Sequence, residues 1–114
     1  MYDFRAVGTQ AEDRAAEYLI GIGYTVITRR HKTRRGELDI VAMDGAVLVF
    51  VEVKFRRAPG YRPEDAIGRE KLSALIAAAE LYVIEMQIQP ERYRFDLIAI
   101  DSDGLRHHLD LLQP

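Results

Sequence analysis

The sequence predicts a single α/β domain with element order α-β-β-β-α-β-β, and three observations predict it. Apolar residues recur at helical spacing in two stretches, about 7–22 and 72–86. Runs rich in β-branched residues fill the space between and after them, two of them split by Asp44-Gly45, a strong hairpin signal. The run VLVFVEVKF at 47–55 is apolar on both alternating faces, as in a central strand covered by helices. With 114 residues the chain can build one core and not two, so 1–114 is read as one domain.

The first helix is marked by Val7, Ala11, Ala15, Tyr18, Leu19 and Ile22, and Gly21 and Gly23 stop it. YTVITRRHKT, 24–33, begins as a β-rich run and turns basic. Leu38–Met43 and Ala46–Phe55 form the hairpin about Asp44-Gly45, and a loop with Pro59, Gly60 and Pro63 follows. Leu72, Leu75, Ile76, Ala79, Tyr82, Val83 and Met86 mark the second helix. It can carry a crossover to a strand at Tyr93–Ile100 running parallel to the third. Asp103-Gly104 then turns into a last strand near Arg106–Leu111.

Composition narrows the function classes. No run of 18 or more apolar residues occurs, so no membrane span is expected. MYDFRAVGTQ lacks the basic and apolar regions of a signal peptide, and there is no cysteine for a disulfide or thiolate site. A cytoplasmic protein is the expectation. The net charge of -2 hides an asymmetry: residues 29–71 hold eleven of the sixteen Lys/Arg against seven acids, the rest five against eleven. That distribution suits a positive binding face on a neutral body; a solvated charged surface is the plain alternative.

The chemistry concentrates in GELDIVAMDGAVLVFVEVKFRR, 36–57, where Glu37, Asp39, Glu52 and Lys54 sit in strongly apolar runs. Alternation puts Leu48, Phe50, Glu52 and Lys54 on one face of their strand and Val47, Val49, Val51 and Val53 on the other. Glu37, Asp39 and Val41 are expected to share a face of the neighbouring strand, which brings Asp39 near Glu52. An unpaired buried carboxylate costs roughly 5 kcal/mol or more, and two together repel unless a cation sits between them. A hard divalent ion resolves this, since Mg²⁺ uses one or two carboxylates plus waters and phosphate oxygens. The neighbouring lysine can orient a water or meet a developing phosphate charge. A buried ion pair of Lys54 with Glu52 or Asp39 that only stabilises the hairpin is the structural alternative.

Asp39 followed across a hairpin by Glu52-Val53-Lys54 resembles the Asp…Glu-x-Lys signature of the restriction-endonuclease-like PD-(D/E)-x-K nuclease superfamily. GELDIVA, FVEVKFRR, Lys71 and RFDLIAI, 94–100, are similar more closely to the small bacterial YraN family, over about Gly8–Ile100. The resemblance implies a mixed four- to five-stranded sheet flanked by two main helices and a site using Mg²⁺ or Mn²⁺. It implies Asp39 and Glu52 as metal ligands, Lys54 as the catalytic lysine, and Glu12 on the first helix as the further acid beside the metal. For Glu12 a solvated helix glutamate is the alternative, and Glu17 is a competing acid. Glu37 is a strand-start residue or a ligand. Where many relatives carry Arg-Asn, this chain has Arg30-His31, and His31 could contact phosphate or a site water.

The basic segments fit that picture. RRHKTRR and KFRR flank the carboxylates and offer Arg29, Arg30, Lys32, Arg34, Arg35, Arg56 and Arg57 to a phosphate backbone, with Lys71 from the second helix. Tyr61 and Phe55 could stack on bases or simply pack. His107 and His108 face opposite ways on a strand and are not expected to form a metal pair. Arg94 and Asp96 share a face and can pair. The expected function is metal-dependent hydrolysis of DNA phosphodiesters, in structured or single-stranded DNA. A non-catalytic nucleic-acid-binding module or accessory protein in DNA processing is the alternative, and an interaction domain without nucleic acid a third. The expected partners are DNA, with a homodimer or a protein partner in DNA processing also compatible, and no membrane.

Overall fold

In a computed structural model, which describes residues 4–57 and 60–112, the chain forms α1 (Phe4–Gly21), β1 (Thr25–Thr33), β2 (Gly36–Asp44) and β3 (Val47–Phe55). A single 3₁₀ turn (Pro63–Ala66), α2 (Arg69–Glu85), β4 (Arg92–Asp101) and β5 (Gly104–His108) complete it. Pro59 and the side chain of Val7, both invoked from sequence, lie outside the described residues. The five strands form one sheet in the order β1-β2-β3-β4-β5, antiparallel except for the parallel pair β3–β4. The predicted α/β order and crossover are thus present. No described helix is long and apolar enough to cross a membrane.

The ends of α1 follow from its sequence. The Tyr24 N–H donates to the Leu19 carbonyl at 2.9 Å and the Gly23 N–H to that of Ile20 at 3.0 Å. Gly23, at φ +98°, supplies the left-handed step of this Schellman cap. Leu19 and Tyr24 close the cap with an apolar contact inside the core under α1. Ala11, Ala15 and Ala16 let the helix lie close to the sheet, where Ile40, Ala42, Val49, Val51, Ile98 and Ile100 meet it. The opposite face buries Leu38, Val41, Leu48 and Phe50 against Leu75, Ala78, Ala79 and Tyr82 of α2. Each large side chain so buried contributes about 1.5–3 kcal/mol. β3 therefore carries apolar residues on both faces because both are covered. β5 ends at His108, three residues short of the expected Leu111. Asp110 takes a φ of +62° and turns the chain back, so that the Leu111 N–H reaches the Phe95 carbonyl.

At the Asp44 end of the sheet, on the α1 side, lies a polar network. Arg94 donates to both oxygens of Asp96, at 2.8 and 3.0 Å, to Asp44 at 3.1 Å and to the Tyr24 hydroxyl at 2.6 Å. His107 Nε2 lies 2.8 Å from Asp96, its Nδ1 3.1 Å from the Tyr18 hydroxyl, and the Asp110 N–H donates to Asp96 at 3.0 Å. Burial acts to raise the Asp96 pKa, but the bonds from His107 and Arg94 prevail and hold the carboxyl below its ordinary value. His108 points the other way, to Glu64 at 2.9 Å, so the two histidines diverge as expected. Asp96 is fully buried, so Asp96→Ala strands Arg94 without its main counter-charge. It is expected to lower unfolding free energy by roughly 3–5 kcal/mol in urea titrations, with β-sheet content intact in native buffer.

Candidate active site

The second cluster lies at the other end of the sheet, where β2 begins and β3 ends. Antiparallel register runs from Asp44 opposite Val47 to Ile40 opposite Val51. Beyond Ile40 the ladder stops and the Asp39 side chain takes over: its Oδ2 accepts the Val53 N–H at 2.9 Å. Sheet alternation also breaks here. Leu38 packs under α2 while Ile40 and Ala42 pack under α1, so the residue between them marks a kink. The flanking pairs Arg29–Ile40 and His31–Leu38 set Arg30, at φ +54°, across from Asp39 at the same point. The expected common face for Glu37, Asp39 and Val41 therefore does not exist: Val41 packs under α2 and Glu37 is exposed.

Glu52 is buried, 3% exposed, on the α2 side of β3. Its Oε1 lies 3.5 Å from Lys54 Nζ and 3.2 Å from Lys71 Nζ in the first turn of α2. Its Oε2 is buried and has no hydrogen-bond partner among the described residues. Asp39 is pushed up to about 7, first by burial and then by the charge of Glu52, with Glu12 adding to it against the Val53 hydrogen bond. Carboxylates from β3 and α1 thus both act on Asp39 in β2. Glu12 is steadied by Arg30, whose Nε donates to it at 2.9 Å and whose guanidinium also bonds Thr9. Glu17, the competing acid, is exposed.

The donor set suits a hard divalent cation. One buried carboxylate oxygen lacks any donor, a second carboxyl binds its proton unusually tightly, and a shared proton or a cation would satisfy both. Among the described residues no group of three or more His, Asp or Glu side chains stands ready to hold a metal ion. A cation at Asp39 and Glu52 would therefore draw its other ligands from water and phosphate, the habit of Mg²⁺.

The basic residues divide into two sets. Arg29 donates to Asp13 at 2.6 Å, and with Arg30 on Glu12 this ties β1 to α1. Neighbouring Glu12-Asp13 and Arg29-Arg30 were the signal for this in sequence. Lys32, Arg34 and Arg35 surround the exposed β1–β2 turn, and exposed Arg56 and Arg57 follow β3 at the same edge of the sheet. Lys71, expected at phosphate, is the nearer of the two lysines on Glu52. His31 lies edge-on to Tyr82 at 5.0 Å, with Nε2 3.8 Å from Glu85 near the end of α2.

Comparison with known proteins adds kinship. The model of a family described as "Uncharacterised protein family UPF0102" matches residues 11–100. A UPF0102 protein of Persephonella marina is 37% identical over 101 residues, 88% of this chain and 87% of that protein. Those of Symbiobacterium thermophilum and Halorhodospira halophila are each 42% identical, covering 85% and 88% of this chain and 83% and 81% of theirs.

Proposed function

The chain belongs to the UPF0102 family, and from that premise we propose that it is a metal-dependent nuclease, hydrolysing phosphodiester bonds in DNA at Asp39, Glu52 and Lys54. The observation that carries this reading is the donor-free Oε2 of Glu52, buried beside a second carboxyl whose pKa stands near 7. A merely structural pair would not need a second carboxylate against it, at a cost in repulsion. The resemblance to the Asp…Glu-x-Lys nucleases agrees with it.

Asp39 and Glu52 would hold Mg²⁺ or Mn²⁺, which supplies Lewis acidity toward phosphate and a more acidic water. Lys54, from the end of β3, orients the attacking water or meets the charge that grows on the phosphate. Lys71 holds Glu52 through Oε1 and leaves Oε2 for the cation. Arg30 fixes Glu12, the further acid. Lys32, Arg34, Arg35, Arg56 and Arg57 grip the strand without reading its bases. A second reading, a nucleic-acid-binding module without turnover, is favoured by one observation: two ammonium groups already neutralise Glu52.

Incubation with single-stranded, duplex, flap and junction DNA in Mg²⁺ or Mn²⁺ separates the two. The nuclease reading expects cleavage that EDTA stops and that Glu52→Gln removes; salt-sensitive binding with no cleavage of any substrate supports the binding module. In either case, replacing Lys32, Arg34 and Arg35 by Ala should weaken binding to all sequences alike. The slope of log affinity against log salt should flatten by roughly 0.7–0.9 per lost phosphate contact. An unchanged affinity and slope would remove the basic edge as the binding surface.

A further inference from the structure

The parallel pairing of β3 with β4 brings the end of β3 beside the β4–β5 turn, with Phe55 opposite Ile100 and the Arg56 N–H bonded to the Ile100 carbonyl at 3.1 Å. A cleft of about 190 Å³ opens there, lined by Arg56, Tyr61, Arg62, Asp101 and Asp103 among others. Tyr61 is 71% exposed, which rules out the packing role that an aromatic in a loop usually has. Arg56 is exposed and turns one guanidinium nitrogen to its own strand's Phe55 carbonyl; Arg62 is 64% exposed and 3.5 Å from Glu64. Both keep other donors for a ligand.

We propose that this cleft takes an unpaired base, stacked on Tyr61, so that the substrate of the neighbouring site is single-stranded DNA or DNA with an unpaired end. The inference rests on the nuclease or DNA-binding reading of the Asp39–Glu52 site. Its chemistry favours a base over a phosphate. The arginines alone would suit either, but exposed Asp103 repels a phosphate and can accept hydrogen bonds from the amino groups of a base. Asp101 is already held by Arg106 at 2.7 Å, which keeps its carboxylate charged and fixed. An aromatic face beside cations is how single strands are bound without sequence preference, since every base offers a π-face. A duplex keeps its bases stacked and presents none.

Placement agrees with a continuous path. The β1–β2 turn, the end of β3 and the β4–β5 turn lie along one edge of the sheet. At about 4.8 Å per strand, the basic turn and the cleft are roughly 15 Å apart, with Lys54 between them. A few nucleotides of extended strand span that distance. A backbone crossing the carboxylates from the Arg34–Arg35 turn therefore arrives at Tyr61 with a base to place.

The chain has no tryptophan, so Tyr61→Trp adds a single tryptophan, excited apart from the tyrosines, whose emission stacking would quench. The expected result is quenching by a single-stranded oligonucleotide and little by a blunt duplex of the same sequence. Tyr61→Ala should weaken single-strand binding roughly tenfold or more and lower the ratio of single-strand to duplex affinity, while Tyr61→Phe retains both. The side chain is exposed, so folding is not at stake. If Tyr61→Ala keeps the parent's ratio and the Trp emission ignores DNA, the inference is overturned. Loss of binding in the Lys32/Arg34/Arg35 variant would then show that the DNA reading itself survives. A parent protein that binds no DNA of any kind overturns both.

Discussion

Asp39→Asn is expected to make the cation-free protein more stable at pH 8, by roughly 2–4 kcal/mol. The carboxyl rises on folding from 3.8 to about 7. A group whose pKa is raised by folding contributes stability that is complete below the unfolded value. That contribution is lost as pH climbs through the folded one, at about 1.4 kcal/mol per pKa unit. Above pH 7 the parent therefore holds an ionised Asp39 against Glu52 in a buried setting. The amide oxygen of Asn can still accept the Val53 N–H, so the strand junction is kept and the repulsion removed. Melting temperature at pH 8 should rise by roughly 10 °C, with the gap to the parent closing toward pH 4. The same variant should lose the stabilisation that Mn²⁺ or Mg²⁺ gives the parent by mass action. A variant that melts below the parent at pH 8, or responds to Mn²⁺ as the parent does, contradicts the site.

Lys54→Met should reduce cleavage by roughly 10²- to 10⁴-fold, the usual weight of a group that handles the reacting water. Affinity for DNA should stay within a few fold. The geometry sharpens what stability should do. Lys71 remains 3.2 Å from Glu52 when Lys54 is gone, so Glu52 is not left alone and the single variant should lose little. Lys54→Met with Lys71→Met strips both partners from a buried carboxylate and should cost about 3 kcal/mol or more in urea unfolding. Lys71→Met by itself should keep measurable cleavage. A Lys54→Met protein that folds and cleaves at the parent rate would take lysine out of the chemistry.

Strand alternation in 47–55 was legible because a strand covered on both sides has no polar positions to spare. Glu52 and Lys54 stood out for the same reason, and their common face is the one that α2 covers. Asp39 was legible as a candidate but not its placement. The kink across from Arg30 depends on a left-handed residue that is neither glycine nor asparagine, and nothing in the local residues announces it. The Lys71–Glu52 contact depends on how α2 seats after a loop and a 3₁₀ turn, which spacing alone does not determine. Arg29 and Arg30 read as free cations because helix and strand were considered apart. The Asp96 network was visible only as Arg94 beside Asp96; Tyr18 and Tyr24 join it from α1 and the turn after it, and His107 from β5.

The kink in β1 has a consequence for how copies of the chain meet. β1 and β5 are the outer strands, and each offers unpaired backbone groups to any passing strand. β5 is five residues long, too short for a lasting template. β1 is nine residues long and would be the hazard, yet its pairing shifts register between Val26 and Thr28 and its backbone turns left-handed at Arg30. Exposed Lys32 adds charge along the same margin. Irregular, charged borders of this kind resist edge-to-edge growth into sheets between molecules. The bend that sets Arg30 beside Glu12 therefore also guards the fold against such growth at its longest open border.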